Sequence, residues 1–234
     1  MRSQCRVPIV LLLAVSLIIV GAYAADWTSE DIGTAGGSDE YDARTGQWTI
    51  NADGVDIWGS SDGFRFIYQE VSGDFEISCQ VLSIENTDGW AKGGVMGRTS
   101  TEGPAAYAFS FVSVANGTSL QWRVSDGAGA QPDGSGTAGA APYYVKLVRE
   151  DNTFFSFRSL DGDDWEENHT VNQPSEILIE MGDPILAGLA LTSHSSGNIC
   201  TAEFDSIEAS FADQRPVEAA GKLSITWGEI KAPY

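Results

Sequence analysis

The feature that most constrains the fold is a series of short β-rich runs, separated by clusters of Gly, Asp and Ser. No stretch after residue 24 shows a helical period across three turns. Evenly spaced strands without intervening helices are typical of two packed antiparallel sheets, because a parallel sheet needs long crossover connections. The sequence therefore predicts an all-β fold. The predicted strands are Gln47–Asn51, Phe64–Gln69, Asp74–Ile84, Gly94–Arg98, Tyr107–Val112, Leu120–Val124, Tyr143–Arg149, Phe154–Ser159, Ile177–Glu180, Ala187–Leu191 and Thr201–Phe211.

The first 24 residues have the pattern of a secretory signal peptide. A basic start precedes an apolar run from Val7 to Val20, and Ala22-Tyr23-Ala24 has the small-x-small form of a cleavage site. The rival interpretation is an uncleaved anchor, but the run of 14 residues is shorter than the roughly 20 that cross a bilayer. We therefore expect a secreted or cell-surface protein with no membrane insertion after cleavage.

The charge of the chain excludes some partners. Its 33 acidic and 13 basic residues give a formal charge of -20. A body this negative repels polyphosphates and anionic lipids, so nucleic acid and anionic membrane are poor partners. A hydrophobic content of 42% is that of a globular protein. We expect one β-sandwich domain over residues 25–212, followed at 213–234 by a tail or by an edge strand at Leu223–Trp227.

Two cysteines remain after the predicted signal peptide, Cys79 and Cys200. In an exported chain an even number of cysteines is more often bonded than free, so we expect one disulfide between them. The alternative is a pair of buried thiols that act as small hydrophobes.

Several motifs occur in an order that resembles a group of secreted bacterial modules with the concanavalin A-like (laminin G-like) jelly-roll fold. This group is similar to the C-terminal sandwich of some xylosidases. The resemblance implies a two-sheet antiparallel jelly-roll β-sandwich and a polysaccharide-related setting, with no catalytic mechanism. The motifs are Asp26-Trp27-Thr28, Asp56-Ile57-Trp58-Gly59, Asp88 to Met96, Pro142 to Arg149, Ser159-Leu160-Asp161-Gly162 with Trp165, Gly188 to His194, and Phe204-Asp205.

Strand alternation predicts a polar patch that could bind sugar. Alternate residues of three predicted strands share a face, and a loop with an aromatic side chain adjoins them. Aromatic rings stack on pyranose rings while polar groups fix the hydroxyls, so this combination suits a carbohydrate. The alternative is that the cations only pair with carboxylates. The candidate ligand residues are Asp88, Trp90, Lys92, Arg98, Gln121, Arg123 and His194. Trp58 and Trp122 are expected in the core.

The turn Asp161-Gly162-Asp163-Asp164 offers three carboxylates within four residues. A hairpin turn is the simpler interpretation, and a calcium site with Asp161, Asp163 and Asp164 as ligands is the alternative. No other cofactor is predicted, since the two histidines, His169 and His194, lie in different segments and no His/Cys cluster exists for zinc.

The segment from Glu203 to Glu208 resembles the Glu-x-Asp-x-x-Glu strand of laminarinase-type glycosidases, which have the same fold. A glycosidase needs both carboxyls in one cleft. Strict alternation would place Glu203 and Glu208 on opposite faces unless a bulge intervenes, so we predict no catalytic residue.

The function predicted from the sequence is an exported, non-catalytic module that binds polysaccharide or another surface or matrix component. The alternatives are a laminarinase-type glycosidase using Glu203 and Glu208 and a purely structural surface protein. Binding without release of reducing ends would distinguish the first from the second.

Overall fold

The computed structural model describes residues 27–131, 136–137, 139–169 and 173–211. The predicted signal peptide at 1–24 and the predicted tail at 213–234 lie outside these ranges. Every described strand pairing is antiparallel. Within the described ranges no helix has the length and apolarity to cross a membrane.

Fourteen strands lie within the described ranges, and the predicted runs correspond to eleven of them. The strands are β1 Thr28–Ile32, β2 Ser38–Asp42, β3 Gln47–Ala52, β4 Phe64–Val71, β5 Phe75–Ile84, β6 Lys92–Arg98, β7 Tyr107–Ser113, β8 Thr118–Arg123, β9 Tyr143–Glu150, β10 Thr153–Ser159, β11 Glu166–Glu167, β12 Glu176–Leu178, β13 Ile185–Thr192 and β14 Cys200–Phe211. The sequence did not predict β1, β2 and β11.

The strands build two sheets that pack face to face. One sheet has six strands in the order β1-β4-β13-β6-β7-β8, and the other has the order β11-β10-β9-β5-β14-β3-β2 with β12 paired to β10. Their inner faces share a core in which alternate residues of β14 and β3 are buried, including Phe204, Trp48 and Ile50. The predicted all-β, two-sheet antiparallel jelly-roll sandwich is confirmed.

A second apolar cluster covers the other face of the six-stranded sheet. Phe66, Met96, Phe109 and Phe111 are each at most 2% exposed there, and Ile57 packs on them from the loop that joins β3 to β4. This loop, residues 53–63, closes over the sheet face that would otherwise be open. The six-stranded sheet is therefore buried on both faces near its centre.

The predicted disulfide is wrong, because the strand register keeps the two cysteines apart. β5 and β14 are neighbours as expected, but Cys200 Sγ lies 3.3 Å from the carbonyl oxygen of Glu85. Cys79 is six residues from Glu85, which is roughly 20 Å along a strand, whereas bonded cysteines need Cα atoms within about 7 Å. Both side chains are buried free thiols, which is the alternative that the sequence left open.

Both thiols are expected to react only after unfolding. Burial raises the pKa of Cys79 far above its usual range and that of Cys200 to about 11, so little thiolate is present at neutral pH. Alkylation of the unreduced protein without residues 1–24 should add two labels by intact mass in denaturant, and alkylation of the same protein in its native state should add none. Absence of label in denaturant would show that the thiols are bonded.

Candidate functional site

Four of the predicted ligand residues lie on strands and share one sheet face, and all four are buried. Lys92 and Arg98 of β6 and Gln121 and Arg123 of β8 have relative exposures of 0–3%. Because loop 53–63 covers this face, these four side chains cannot reach a ligand in solution. Their assignment as ligand residues is therefore corrected: they hold the loop on the sheet.

Lys92 anchors the first part of the loop. Its Nζ lies 2.9 Å from Asp56 Oδ1 and donates to the carbonyl oxygen of Ile57 at 3.2 Å and to Gln121 Oε1 at 3.1 Å. Burial lowers the pKa of Lys92, and the Asp56 carboxylate opposes that shift. Gln121 Nε2 also donates to the Ile57 carbonyl and to the Tyr107 hydroxyl. The ammonium group thus has its partners inside the protein.

Arg98 and Arg123 anchor the end of the loop through one buried carboxylate, Asp62. Arg123 donates to both oxygens of Asp62 at 2.6 and 2.8 Å, and Arg98 Nη1 lies 3.5 Å from Oδ2. All three side chains are 0% exposed. Burial raises the pKa of Asp62 above its ordinary value, although the two guanidinium groups oppose the rise. We name these three residues the Asp62 triad.

The other predicted ligand residues meet at the surface, at the opposite end of β6. Asp88 Oδ1 accepts the backbone N–H of Trp90 at 2.8 Å. The imidazole of His194 lies between two carboxylates, with Nδ1 3.1 Å from Asp88 Oδ1 and Nε2 3.2 Å from Asp56 Oδ2. We name Asp56, Asp88, Trp90 and His194 the Asp88 cluster.

The backbone fixes the shape of the Asp88 cluster. His194 has a φ of 52°, a left-handed conformation that is uncommon for a residue with a side chain and marks the tight turn after β13. Its backbone N–H lies 3.5 Å from Thr192 Oγ1, and Ser193 Oγ donates to the carbonyl oxygen of Gly54 at 3.1 Å. These contacts bind the turn to loop 53–63 and hold His194 beside Asp56.

The predicted patch is therefore divided. Lys92 and Arg98 stand six residues apart on β6, roughly 20 Å, so Trp90 and His194 do not converge with Arg98 and Arg123. Asp56 was not predicted as a site residue. It belongs to one of the motifs that carry the family resemblance, but a single aspartate in a loop gives no local signal of its partners.

The exposure of the Asp88 cluster leaves it open to solvent. The Asp88 side chain is 42% exposed and that of His194 29%, and the Trp90 ring is half-buried against the second apolar cluster. Gly89 connects the loop of Asp88 and Trp90 to the β7–β8 hairpin. Its carbonyl oxygen accepts hydrogen bonds from Ala115 N–H at 3.0 Å and from Asn116 Nδ2 at 2.9 Å. An open cleft of about 430 Å³ lies beside Asn116.

The calcium interpretation of the Asp161 turn is not supported by the geometry. Asp161 Oδ1 accepts the backbone N–H groups of Asp163 and Asp164 at 3.0 and 2.9 Å and the Ser159 hydroxyl at 2.9 Å. These backbone N–H groups lower the pKa of Asp161. In the described part of the chain, no three acidic, His or Cys side chains are grouped to hold a metal ion. The segment is a hairpin turn closed by its own carboxylate.

The Glu203–Glu208 segment contains the bulge that the sequence left open. The register between β14 and β5 shifts at Glu203/Phe204 and again between Asp205 and Glu208, and Ser206 has a φ of 49°. Both glutamates are exposed. In the register of β14 with β5, Glu203 lies opposite Ser83 and Glu208 lies opposite Ser78.

The two glutamates lie at separate positions along the strand. Five residues of β5 separate their backbones by roughly 16 Å, whereas the carboxyls of a glycosidase pair lie roughly 5–9.5 Å apart. Glu203 Oε2 also accepts the Ser83 hydroxyl at 3.3 Å, and Asp205 Oδ2 accepts Gln47 Nε2 at 3.1 Å. The carboxylates therefore serve strand contacts on the outer face.

Several solved structures are similar to this chain. A functionally unknown protein from Saccharomyces cerevisiae has a TM-score of 0.62 at 15% identity, over 80% of this chain and 97% of that one. A legume lectin-like domain from Entamoeba histolytica (TM-score 0.48, 12% identity) matches over 80% of this chain and 91% of its own. The Emp47p carbohydrate recognition domain (0.42, 13%) matches over 80% and 88%.

The likeness to the Saccharomyces cerevisiae protein, at 15% identity, shows the fold alone. No family model and no curated protein matches the chain. The resemblance to xylosidase sandwiches stays a prediction, and the function has to be argued from the residues of the site.

Proposed function

We propose that this protein is an exported, non-catalytic β-sandwich module that binds polysaccharide through the Asp88 cluster. The observation that carries the proposal is a half-buried Trp90 ring in the same loop as the exposed Asp88 carboxylate, which accepts the Trp90 backbone N–H and lies 3.1 Å from His194 Nδ1. An aromatic face for a pyranose ring and charged groups for its hydroxyls are the chemistry of sugar recognition.

The fold supports the proposal by holding this cluster in place. The Trp90 loop is fixed through Asp88 and Gly89, and the His194 turn is fixed through Gly54. A site whose groups are already held loses little conformational entropy when a ligand binds. The Glu203–Glu208 segment, by contrast, offers no paired carboxyls, which supports a non-catalytic role.

The substitution Trp90→Ala is expected to weaken polysaccharide binding by about tenfold, because an aromatic anchor in a binding site contributes more than about 1 kcal/mol. Binding is measured by isothermal titration against a panel of neutral, amino and acidic polysaccharides. Because the Trp90 ring also packs on the second apolar cluster, the variant is assayed well below its melting temperature.

The matched control is Trp165→Ala. Trp165 is also half-buried, but it contacts Lys146 and Tyr144 on the outer face of the other sheet, with Lys146 Nζ 4.2 Å from its ring centroid. This variant should bind like the wild type. Equal losses in both variants would contradict the assignment of the site. If the protein releases reducing ends and Glu203→Gln abolishes that release, the protein is a glycosidase. If the protein shows no binding and no release, a structural surface protein is favoured.

A further inference from the structure

We infer that the Asp88 cluster selects glycans that carry free amino groups over neutral and acidic glycans. This inference rests on the proposed function and adds the chemical class of the ligand. It follows from which charges of the site face solvent and which are enclosed.

The lysine beside this site is enclosed, whereas the imidazole of His194 is 29% exposed and faces the carboxylates of Asp56 and Asp88. Lys92 is 2% exposed, and its ammonium group is held by Asp56, Gln121 and the carbonyl oxygen of Ile57. It lies 5.7 Å from the centroid of the Trp90 ring. A ligand that approaches from solvent therefore meets the Trp90 ring, the carboxylate of Asp88 and the partly exposed imidazole of His194, and does not meet the lysine.

One carboxylate oxygen of Asp88 is available to a ligand. Its Oδ1 accepts the Trp90 N–H and faces His194 Nδ1, whereas Oδ2 contacts no polar group of the described residues. With 42% of the side chain exposed, this oxygen can accept a hydrogen bond from a ligand. Among the groups that a sugar carries, an ammonium group makes the strongest hydrogen bond to this oxygen, because hydrogen bonds between two charged groups are shorter and stronger than neutral ones.

The neighbouring ring favours the same ligand. Tryptophan has the most attractive aromatic face for a cation, and the ring of Trp90 follows Asp88 by two residues in the same loop. A sugar that stacks near this ring and carries an ammonium group would satisfy both features at once. An N-acetylated sugar keeps the stacking but loses the charge.

Acidic glycans meet repulsion at the same place. The Asp88 carboxylate faces them, the arginines of the Asp62 triad are 0% exposed, and the whole chain carries a formal charge of -20. Like charges across an interface disfavour binding and slow the encounter. Uronic acid and sulfated polymers are therefore expected to bind most weakly.

The test compares three soluble oligomers of equal length: glucosamine, N-acetylglucosamine and galacturonate. Titration calorimetry is run at mildly acidic pH and low salt, where sugar amines are protonated. We expect the glucosamine oligomer to bind about tenfold more tightly than the N-acetylated one, in line with a charge-assisted hydrogen bond. Asp88→Asn should abolish this preference while its amide oxygen still accepts the Trp90 N–H.

The matched control is the double variant Asp163→Asn/Asp164→Asn. Both side chains are exposed in the β10–β11 turn, so the variant removes more charge than Asp88→Asn without touching the cluster. It should keep the tenfold preference. If it loses the preference as Asp88→Asn does, the attraction is a property of the acidic surface and the inference is overturned.

The inference and the proposed function fail in different ways. If the glucosamine and N-acetylglucosamine oligomers bind equally and Trp90→Ala weakens both, the selectivity is wrong and the sugar site stands. If no oligomer or polysaccharide binds, the proposed function itself is wrong.

Discussion

The substitution Asp62→Asn is expected to lower the free energy of unfolding by about 3–5 kcal/mol, the cost of removing one partner from a buried ion pair. Asp62 is the carboxylate of the Asp62 triad, and without it the guanidinium groups of Arg98 and Arg123 stay buried with no carboxylate in contact and only the more distant charge of Asp126. Backbone carbonyl oxygens would still accept from both arginines, but carbonyls do not neutralise their charge. Urea denaturation followed by circular dichroism measures the change.

The control for Asp62→Asn is Asp42→Asn, which removes the same type of charge from an exposed pair. Arg44 Nη2 lies 3.0 Å from Asp42 Oδ2, and the two side chains are 89% and 36% exposed. An exposed ion pair contributes at most about 1 kcal/mol, so this variant should unfold at nearly the wild-type urea concentration. Similar losses in the two variants would contradict the burial of the triad.

The Asp62 triad also shows what strand alternation could and could not predict. Alternation placed Lys92, Arg98, Gln121 and Arg123 on one sheet face, and the structure confirms that face. It could not predict that loop 53–63 covers the face, because the loop is joined to it by contacts between residues about 60 positions apart, such as Arg123 with Asp62. The same polar side chains are therefore compatible with an open binding face and with a closed one.

The three strands that the sequence did not predict are short and mostly exposed. β1 and β2 have the sequences TSEDI and SDEYD, and β11 contains two exposed glutamates. Acidic residues are depleted in strands, and edge strands have no buried alternating face to reveal them. β1 and β2 are linked instead by Arg65 of β4, whose guanidinium group lies 2.9 Å from Asp31 and 2.5 Å from Asp39.

The predicted disulfide was wrong because of the register between β5 and β14. Predicting that β14 returns beside β5 was correct, but neighbouring strands bring together only those residues that the register aligns. The register shift between Asp205 and Glu208 contains the left-handed Ser206, and Ser has no special preference for that conformation. The faces on which Glu203 and Glu208 lie depended on this detail, whereas the disulfide was wrong because Cys200 lies beyond the pair Ala202–Ile84, far along β5 from Cys79.

The second large effect on stability is expected at Phe204, which lies between Glu203 and Glu208 in β14. Phe204→Ala should lower the free energy of unfolding by about 3–5 kcal/mol, as other buried phenylalanine truncations do. The side chain is 0% exposed and pairs across the sheet with Trp48 and Val81. Its ring also reaches the opposite sheet at Gly93, where a Cβ atom would lie 2.9 Å from Phe204 Cζ. The truncation would therefore leave a cavity in the layer that joins the sheets.

Glu203→Ala is the control, since it changes the adjacent residue of β14 but an exposed one, with a single contact to the Ser83 hydroxyl. A surface substitution of this kind changes stability by about 0.5 kcal/mol or less. Urea denaturation of both variants tests whether the segment stabilises the core. A large loss in Phe204→Ala with none in Glu203→Ala means that the apolar residues of the segment serve the core and that the exposed Glu203 does not. A loss below about 1 kcal/mol in Phe204→Ala would contradict the packing of its ring between the sheets.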